Sequence, residues 1–186
     1  MEKDKTIQII RSLQTKMNDD IREHCIRVAE YTKKMCESIE IDYQLAYNAA
    51  LVHDIGKVFY NTDILNKKGK LRPTEKTIID YHAYFGWLVL KNIGFNDDLC
   101  TIVLLHHGVN SGKEYWPKDL RISEKISMLA RIVETADIWD ALTADRPYRK
   151  SLSNDKAKII MLSEKKCPKE LVRTICEVAG DDTTAK

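Results

Sequence analysis

The chemistry of this chain is concentrated in the stretch Leu51-Val52-His53-Asp54-Ile55-Gly56-Lys57. A histidine and an aspartate stand side by side at the end of an apolar segment, followed at once by a glycine and a lysine. His53 and Asp54 can both ligate one metal ion, or Asp54 can bridge two, because a carboxylate has two oxygens to share. Lys57 places a cation about one helical turn beyond His53, where a phosphate oxygen could be met. A His-Asp dipeptide alone is a weak signal. Its weight comes from where the chain keeps its other histidines.

There are five: His24, His53, His82, His106 and His107. One inward histidine is more often a satisfied core residue than a ligand. Here the apolar periodicity turns all of them inward, joined by Asp54 and Asp137, and none is left for the surface. Asp137 falls in the row Ile126, Ala130, Val133 and Ala141, where a carboxylate is costly unless something positive meets it. Imidazole and carboxylate form the ligand set of iron, manganese, zinc or nickel, and the lack of any Cys-x-x-Cys spacing argues against a thiolate zinc knot. A catalytic zinc usually takes three protein ligands and a water. Seven candidates are too many for one such ion and suit two. Two ions about 3.5 to 4 Å apart can hold a bridging hydroxide and clamp both oxygens of an in-line phosphoryl displacement. The residues read as a dinuclear metallohydrolase, with Asp54 and Lys57 as its catalytic groups.

The elements that must position these residues read as helices, and the fold class as all-α, a compact bundle of seven to eight helices. The first helix spans Lys5 to Met17. Asn18 or Asp19 caps a second that runs to Ser38, with His24 on the edge of its apolar stripe. Asp42 caps a third that continues through Ala46, Ala49 and Ala50 to His53. Tyr60 to Arg72 reads as a loop, and Pro73 opens a fourth helix that sets Ile78, His82, Phe85 and Val89 on one face. The fifth runs from Asn96 to His106-His107, with Gly108 as its stop. A second loop, Gly108 to Arg121, precedes a sixth helix beginning near Ser123. A loop over Thr143 to Ser153 leads to two shorter helices, Asp155 to Glu164 and Pro168 to Ala179. We expect one domain over 1–186, its metal-site region at about 18–150 and its C-terminal helices at about 155–179.

At 186 residues the chain is long enough to bury a core, and 44% hydrophobic with 31% charged residues is ordinary for a soluble globular protein. A net charge of +2 is too mild to argue for polymeric nucleic acid or an anionic membrane. The apolar runs are too short to span a bilayer, and no signal-peptide core follows Met1-Glu2-Lys3-Asp4-Lys5. Five cysteines, an odd number, read as buried free thiols in a reducing cytoplasm.

The motifs resemble the HD superfamily of metal phosphohydrolases and, within it, the HD-GYP subfamily. The resemblance rests on His53 to Lys57, Ile64 to Leu71, His82 with Gly86, His106-His107, and Ala136 to Thr143 running into Asp145-Arg146-Pro147-Tyr148-Arg149. It implies that His24, His53, Asp54, His82, His106, His107 and Asp137 are the metal ligands, with Asp54 bridging. It implies two divalent ions, iron or manganese first and nickel or zinc as alternatives. Asp20, one turn before His24, is the candidate for a third ion; its plainer reading is a helix N-terminal acid stabilised by the dipole. Lys57, Arg146 and Arg149 match residues that contact substrate phosphate, whereas the plainer reading of the arginines is solvated loop charge. The subfamily's Gly-x-Gly-Tyr-Pro is broken here to Gly112-Lys113-Glu114-Tyr115-Trp116-Pro117, with Gly108 where an acidic residue is usual. Tyr115 and Trp116 could stack on a base or pack on the core. The resemblance implies hydrolysis of a small phosphodiester, a cyclic dinucleotide such as cyclic di-GMP, and a cyclase or sensory protein acting in trans. An HD phosphatase for a nucleotide or other small monoester, and a non-catalytic cyclic-dinucleotide sensor or protein-interaction module, are the alternatives.

Overall fold

A computed structural model of the chain describes residues 2–65, 67, 69–70, 72–108, 116–117, 120–145, 150–164 and 167–180. Its elements are helices α1 (Glu2–Gln14), α2 (Asp19–Ser38), α3 (Gln44–Ala50), a 3-10 helix (Ile55–Phe59), α4 (Thr62–Leu65), α5 (Pro73–Asp80), α6 (His82–Asn92), α7 (Asp97–Leu105), α8 (Glu124–Thr143), α9 (Asn154–Glu164) and α10 (Lys169–Gly180). Helix starts follow the side chains that can satisfy free backbone N–H groups. Asn18 accepts from Ile21 N at 2.8 Å to open α2, and Asn96 accepts from Leu99 N at 2.8 Å to open α7. Ser123 accepts from Ile126 N at 3.3 Å to open α8. Gly108 follows α7 with φ of 103°, a left-handed value that suits a residue without Cβ.

Among the described residues the all-α expectation holds, but there are ten α-helices rather than seven to eight. The third helix stops at Ala50, and turns carry residues 51–54 into the 3-10 helix, so His53 and Asp54 sit between helices. Asp42 accepts from Gln44 N at 3.0 Å, which starts α3 two residues later. The loop expected over Tyr60 to Arg72 contains the short α4. The fourth helix is split at Tyr81, whose N–H tightens onto the Ile78 carbonyl at 3.2 Å instead of continuing the α pattern. Ile78 is consequently 46% exposed rather than facing inward with His82. The first helix begins and ends about three residues earlier than its periodicity suggests, at Glu2–Gln14.

The core is built where α2, α3, α7 and α8 meet, with α6 against α7 and α10 against α2. Trp139, Met35, Leu105, Leu129 and Ile132 are fully buried there. Ala46, Ala49 and Ala50 are fully buried too, and their small side chains let α3 approach α2 and α7 closely. No described helix is long and apolar enough to cross a membrane.

Candidate metal centre

Five segments bring one or two polar groups each to one interior point. His24 comes from the first half of α2, His53 and Asp54 from the turn after α3, His82 from the first residue of α6. His106 and His107 follow α7, and Asp137 and Asp140 come from the last two turns of α8. His24, His53, Asp54, His82 and His106 are each no more than 3% exposed. Ligand-type atoms gather in the sets His24, His53, Asp137 and His82, His106, His107, each set within 4.8 Å. The two sets flank Asp54.

Hydrogen bonds fix the tautomers of the rings. His53 Nδ1–H donates to the Ala50 carbonyl at 2.8 Å, His82 Nδ1–H to Ile79 at 2.5 Å, and His106 Nδ1–H to Val103 at 2.6 Å. With the proton on Nδ1, each Nε2 carries a bare lone pair. The lone pairs of His82 and His106 face inward and meet at 3.1 Å, and His107 Nε2 lies 3.0 Å from His82 Nε2. His53 Nε2 is buried with no hydrogen-bond partner. Opposed lone pairs and an orphaned buried acceptor are costly in isolation. They are resolved by a cation, so the donor set fits metal ions of the imidazole- and carboxylate-binding kind.

Asp54 sits between the sets and divides its oxygens. Its Oδ2 is 3.8 Å from His24 Nε2 and 3.6 Å from His53 Nε2. Its Oδ1 is 3.1 Å from His82 Nε2 and 3.9 Å from His106 Nε2, and it is buried without a well-formed hydrogen bond. Lys57 Nζ donates to Asp54 Oδ2 at 2.6 Å. Asp137 Oδ1 lies 3.0 Å from His24 Nε2 and 3.9 Å from His53 Nε2.

The electrostatics agree with this arrangement. Burial alone would raise Asp54, but Lys57 and the surrounding imidazoles outweigh it and hold the carboxyl well below the usual range. Asp137 is likewise held down by His24 and His53 against the effect of burial. Burial, then neighbouring imidazoles, keeps His106 far below an ordinary histidine. Desolvation of the ring and His82 push His107 down to about 4, although the residue as a whole keeps solvent contact. His24 goes the other way: burial would lower it, yet its hydrogen bonds to Asp137 and Asp140 raise it to about 9.

All seven expected ligands are therefore brought together, and Lys57 with them. Asp20 is exposed in the first turn of α2 and joins none of the ligand clusters among the described residues. Trp116 is half-buried and packs against the apolar core. Tyr115, Arg146 and Arg149 lie outside the described residues. Two residues at the site escape sequence reasoning. Asp140 Oδ2 accepts from His24 Nδ1–H at 2.7 Å. Cys25 is fully buried with its sulfur within 4.8 Å of ligand atoms of His53 and Asp54; burial keeps its thiol well above the usual value. The only available signal for Asp140 was its place one turn after Asp137.

Comparisons with known proteins agree. A family model described as the HD domain matches residues 21–145. The 3'3'-cGAMP-specific phosphodiesterase 3 of Vibrio cholerae serotype O1 is 38% identical over 141 residues, covering 74% of this chain and 30% of that protein. A cyclic di-GMP phosphodiesterase of the same organism is 30% identical over 178 residues, covering 86% of this chain and 36% of that protein. The chain thus spans about a third of the length of these relatives. Among solved structures, the HD domain of the L. monocytogenes phosphodiesterase PgpH superposes with a TM-score of 0.67 at 18% identity, covering 94% of this chain and 99% of that one. It shows the same fold. The chain belongs to the HD domain family, among relatives of the HD-GYP type that its motifs resemble.

Proposed function

We propose that this chain hydrolyses a phosphodiester of the cyclic-dinucleotide class, such as cyclic di-GMP, using a pair of divalent ions, iron or manganese first. The observation that carries the reading is Asp54, with one oxygen turned to His24 and His53 and the other to His82 and His106. That disposition supports a carboxylate shared by two cations. His24, His53 and Asp137 would hold one ion, and His82, His106 and His107 the other. When bound, such ions supply an activated water and positive charge toward the phosphate oxygens. The chain's own residues complete the site. Asp54 and Asp137 orient inward because the imidazoles surround them, and Lys57 lies at the rim with its side chain 22% exposed. From there its ammonium can neutralise charge that develops on a phosphate oxygen. Arg146 and Arg149 are proposed to grip the phosphate bidentately. The relatives' recorded substrates, 3'3'-cGAMP and cyclic di-GMP, support a cyclic dinucleotide over a monoester.

The test is metal analysis of anaerobically purified protein together with turnover of cyclic dinucleotides, a nitrophenyl diester and a nitrophenyl monoester. We expect at least two ions per chain, diester preference, and loss of most of both ions in Asp54→Ala. One ion in saturated protein would sink the dinuclear reading. Full loading with no turnover would leave a sensor, and monoester preference a phosphatase.

A further inference from the structure

The buried histidines are not held alike. His53, His82 and His106 each donate Nδ1–H to a backbone carbonyl three residues earlier in their own segment. His24 instead donates to a carboxylate on another helix, Asp140 Oδ2 at 2.7 Å. Asp140 is 1% exposed, and Arg27 grips it with two prongs: Nε donates to Oδ1 at 2.6 Å and Nη2 to Oδ2 at 3.0 Å. Arg27 lies one turn beyond His24 on α2, so α2 supplies both the ring and the clamp on the carboxylate behind it.

The inward side is unequal in the same sense. Around His24 stand Asp137 Oδ1 at 3.0 Å and Asp54 Oδ2 at 3.8 Å, two carboxylates with a third, Asp140, behind the ring. On the other side, among the described residues, His82, His106 and His107 contribute three imidazoles, and the carboxylate oxygen within 4 Å of His82 and His106 Nε2 is the shared Asp54 Oδ1. A cation is held more tightly where more negative charge faces it, and a carboxylate behind an imidazole both fixes the ring and strengthens it as a donor.

We propose that the two halves of the centre are unequal cation sites. The His24 half takes the first ion, and Asp140, held by Arg27, is the positioning residue that makes it the tighter one. The proposal rests on the dinuclear reading above. Loss of such an outer partner typically costs about 10- to 100-fold in metal affinity.

The test is a titration of the metal-free full chain with Co(II), in competition with a chelator, reading bound metal by absorbance. Wild type should load in two steps. Asp140→Asn, nearly isosteric but uncharged, should weaken the first step by about 10- to 100-fold and leave the second in place. Arg27→Gln should weaken the first step less. His107→Ala should remove the second step and spare the first. The proposal is overturned if Asp140→Asn weakens both steps alike or neither, or if His107→Ala abolishes the tighter step. Should Asp140→Asn not fold, Arg27→Gln carries the test, because that side chain is 41% exposed and its loss leaves the core intact; a step-selective loss supports the proposal and an unchanged first step overturns it. If saturated wild type binds one ion, the dinuclear reading is what fails. Loss of that ion's affinity in Asp140→Asn but not in His107→Ala would still support the part given to Asp140, and no loss would overturn it.

Discussion

The role proposed for Lys57 rests on its contact with Asp54, Nζ to Oδ2 at 2.6 Å. Burial would strip its proton, but the carboxylate outweighs burial and keeps the ammonium charged. It is not among the seven expected ligands, so Lys57→Gln should keep its metal and lose turnover. One charge-assisted contact is worth about 1.5 to 3 kcal/mol, or about ten- to a hundredfold in rate. A metal-loaded Lys57→Gln protein with wild-type turnover would remove Lys57 from the catalytic set. Arg146→Ala should behave similarly, with Arg146→Lys recovering only part, because an ammonium cannot make the bidentate fork; full activity of Arg146→Ala on a dinucleotide would return that residue to solvated loop charge. The ligands were legible because His24 and His82 share a face with apolar neighbours and His53, His106 and His107 end apolar segments. Asp140 was not, since the partner that gives it meaning, His24, is 116 positions away. Cys25 looked like any other core thiol for the same reason.

The element that sets the site's spacing is the 3-10 helix, and Gly56 is why it can sit where it does. A Cβ on Gly56 would collide with the His82 carbonyl oxygen and reach 2.7 Å from Gly86 N. The backbones of the 3-10 helix and α6 therefore touch, and this contact holds Asp54 against His82. Gly56→Ala should destabilise the fold by about 2 to 3 kcal/mol, as overpacking of a tight core does, and should draw His82 away from Asp54. Urea unfolding and metal stoichiometry check it; an unchanged midpoint would mean the two backbones are not in contact. A second element-scale device ties the segment before α5. Glu75 accepts from Lys67 Nζ at 2.6 Å and Arg72 N at 2.7 Å. Those two donors, with the Arg72 guanidinium, bring it down to about 2. Because the folded value lies below the ordinary carboxylate value, this tie stabilises the fold above about pH 4.5 and is lost as pH falls toward 2. Glu75→Gln removes it at neutral pH, so limited proteolysis within 61–72 should speed up; an unchanged cleavage rate would show that the tie does not order that segment. The cap at Asn18 was readable because a side chain either can or cannot reach a free N–H. The split at Tyr81 was not, since no glycine or proline marks it and only tertiary packing chooses α5 and α6 over one longer helix.

At the scale of the molecule, the centre is a knot among five segments that are otherwise joined by long stretches of chain, from His24 on α2 to Asp137 on α8. The sequence made the all-α class legible through its periodicity, but not which helices pair, because that depends on side chains such as Ala46, Ala49 and Trp139 filling one shared core. Under the proposed function the knot ties stability to metal. Without ions, the Nε2 lone pairs of His82 and His106 oppose one another at 3.1 Å and His53 Nε2 has no hydrogen-bond partner, so the metal-free protein keeps an unfavourable cluster in its interior. Ions that bind the folded state and not the unfolded chain stabilise it by about 2.7 kcal/mol each at a free concentration one hundred times Kd. For a chain of this size each kcal/mol moves the melting temperature by about 2 to 4 °C. Removing the metal with a chelator should therefore lower it by about 5 to 10 °C per ion. The drop should reverse on adding back Mn(II) or Fe(II) and be nearly absent in Asp54→Ala, which is expected to have lost most of both proposed ions. A wild-type melting curve that a chelator leaves in place, measured on protein shown to be metal-loaded beforehand, would mean that the ions are not bound among these histidines.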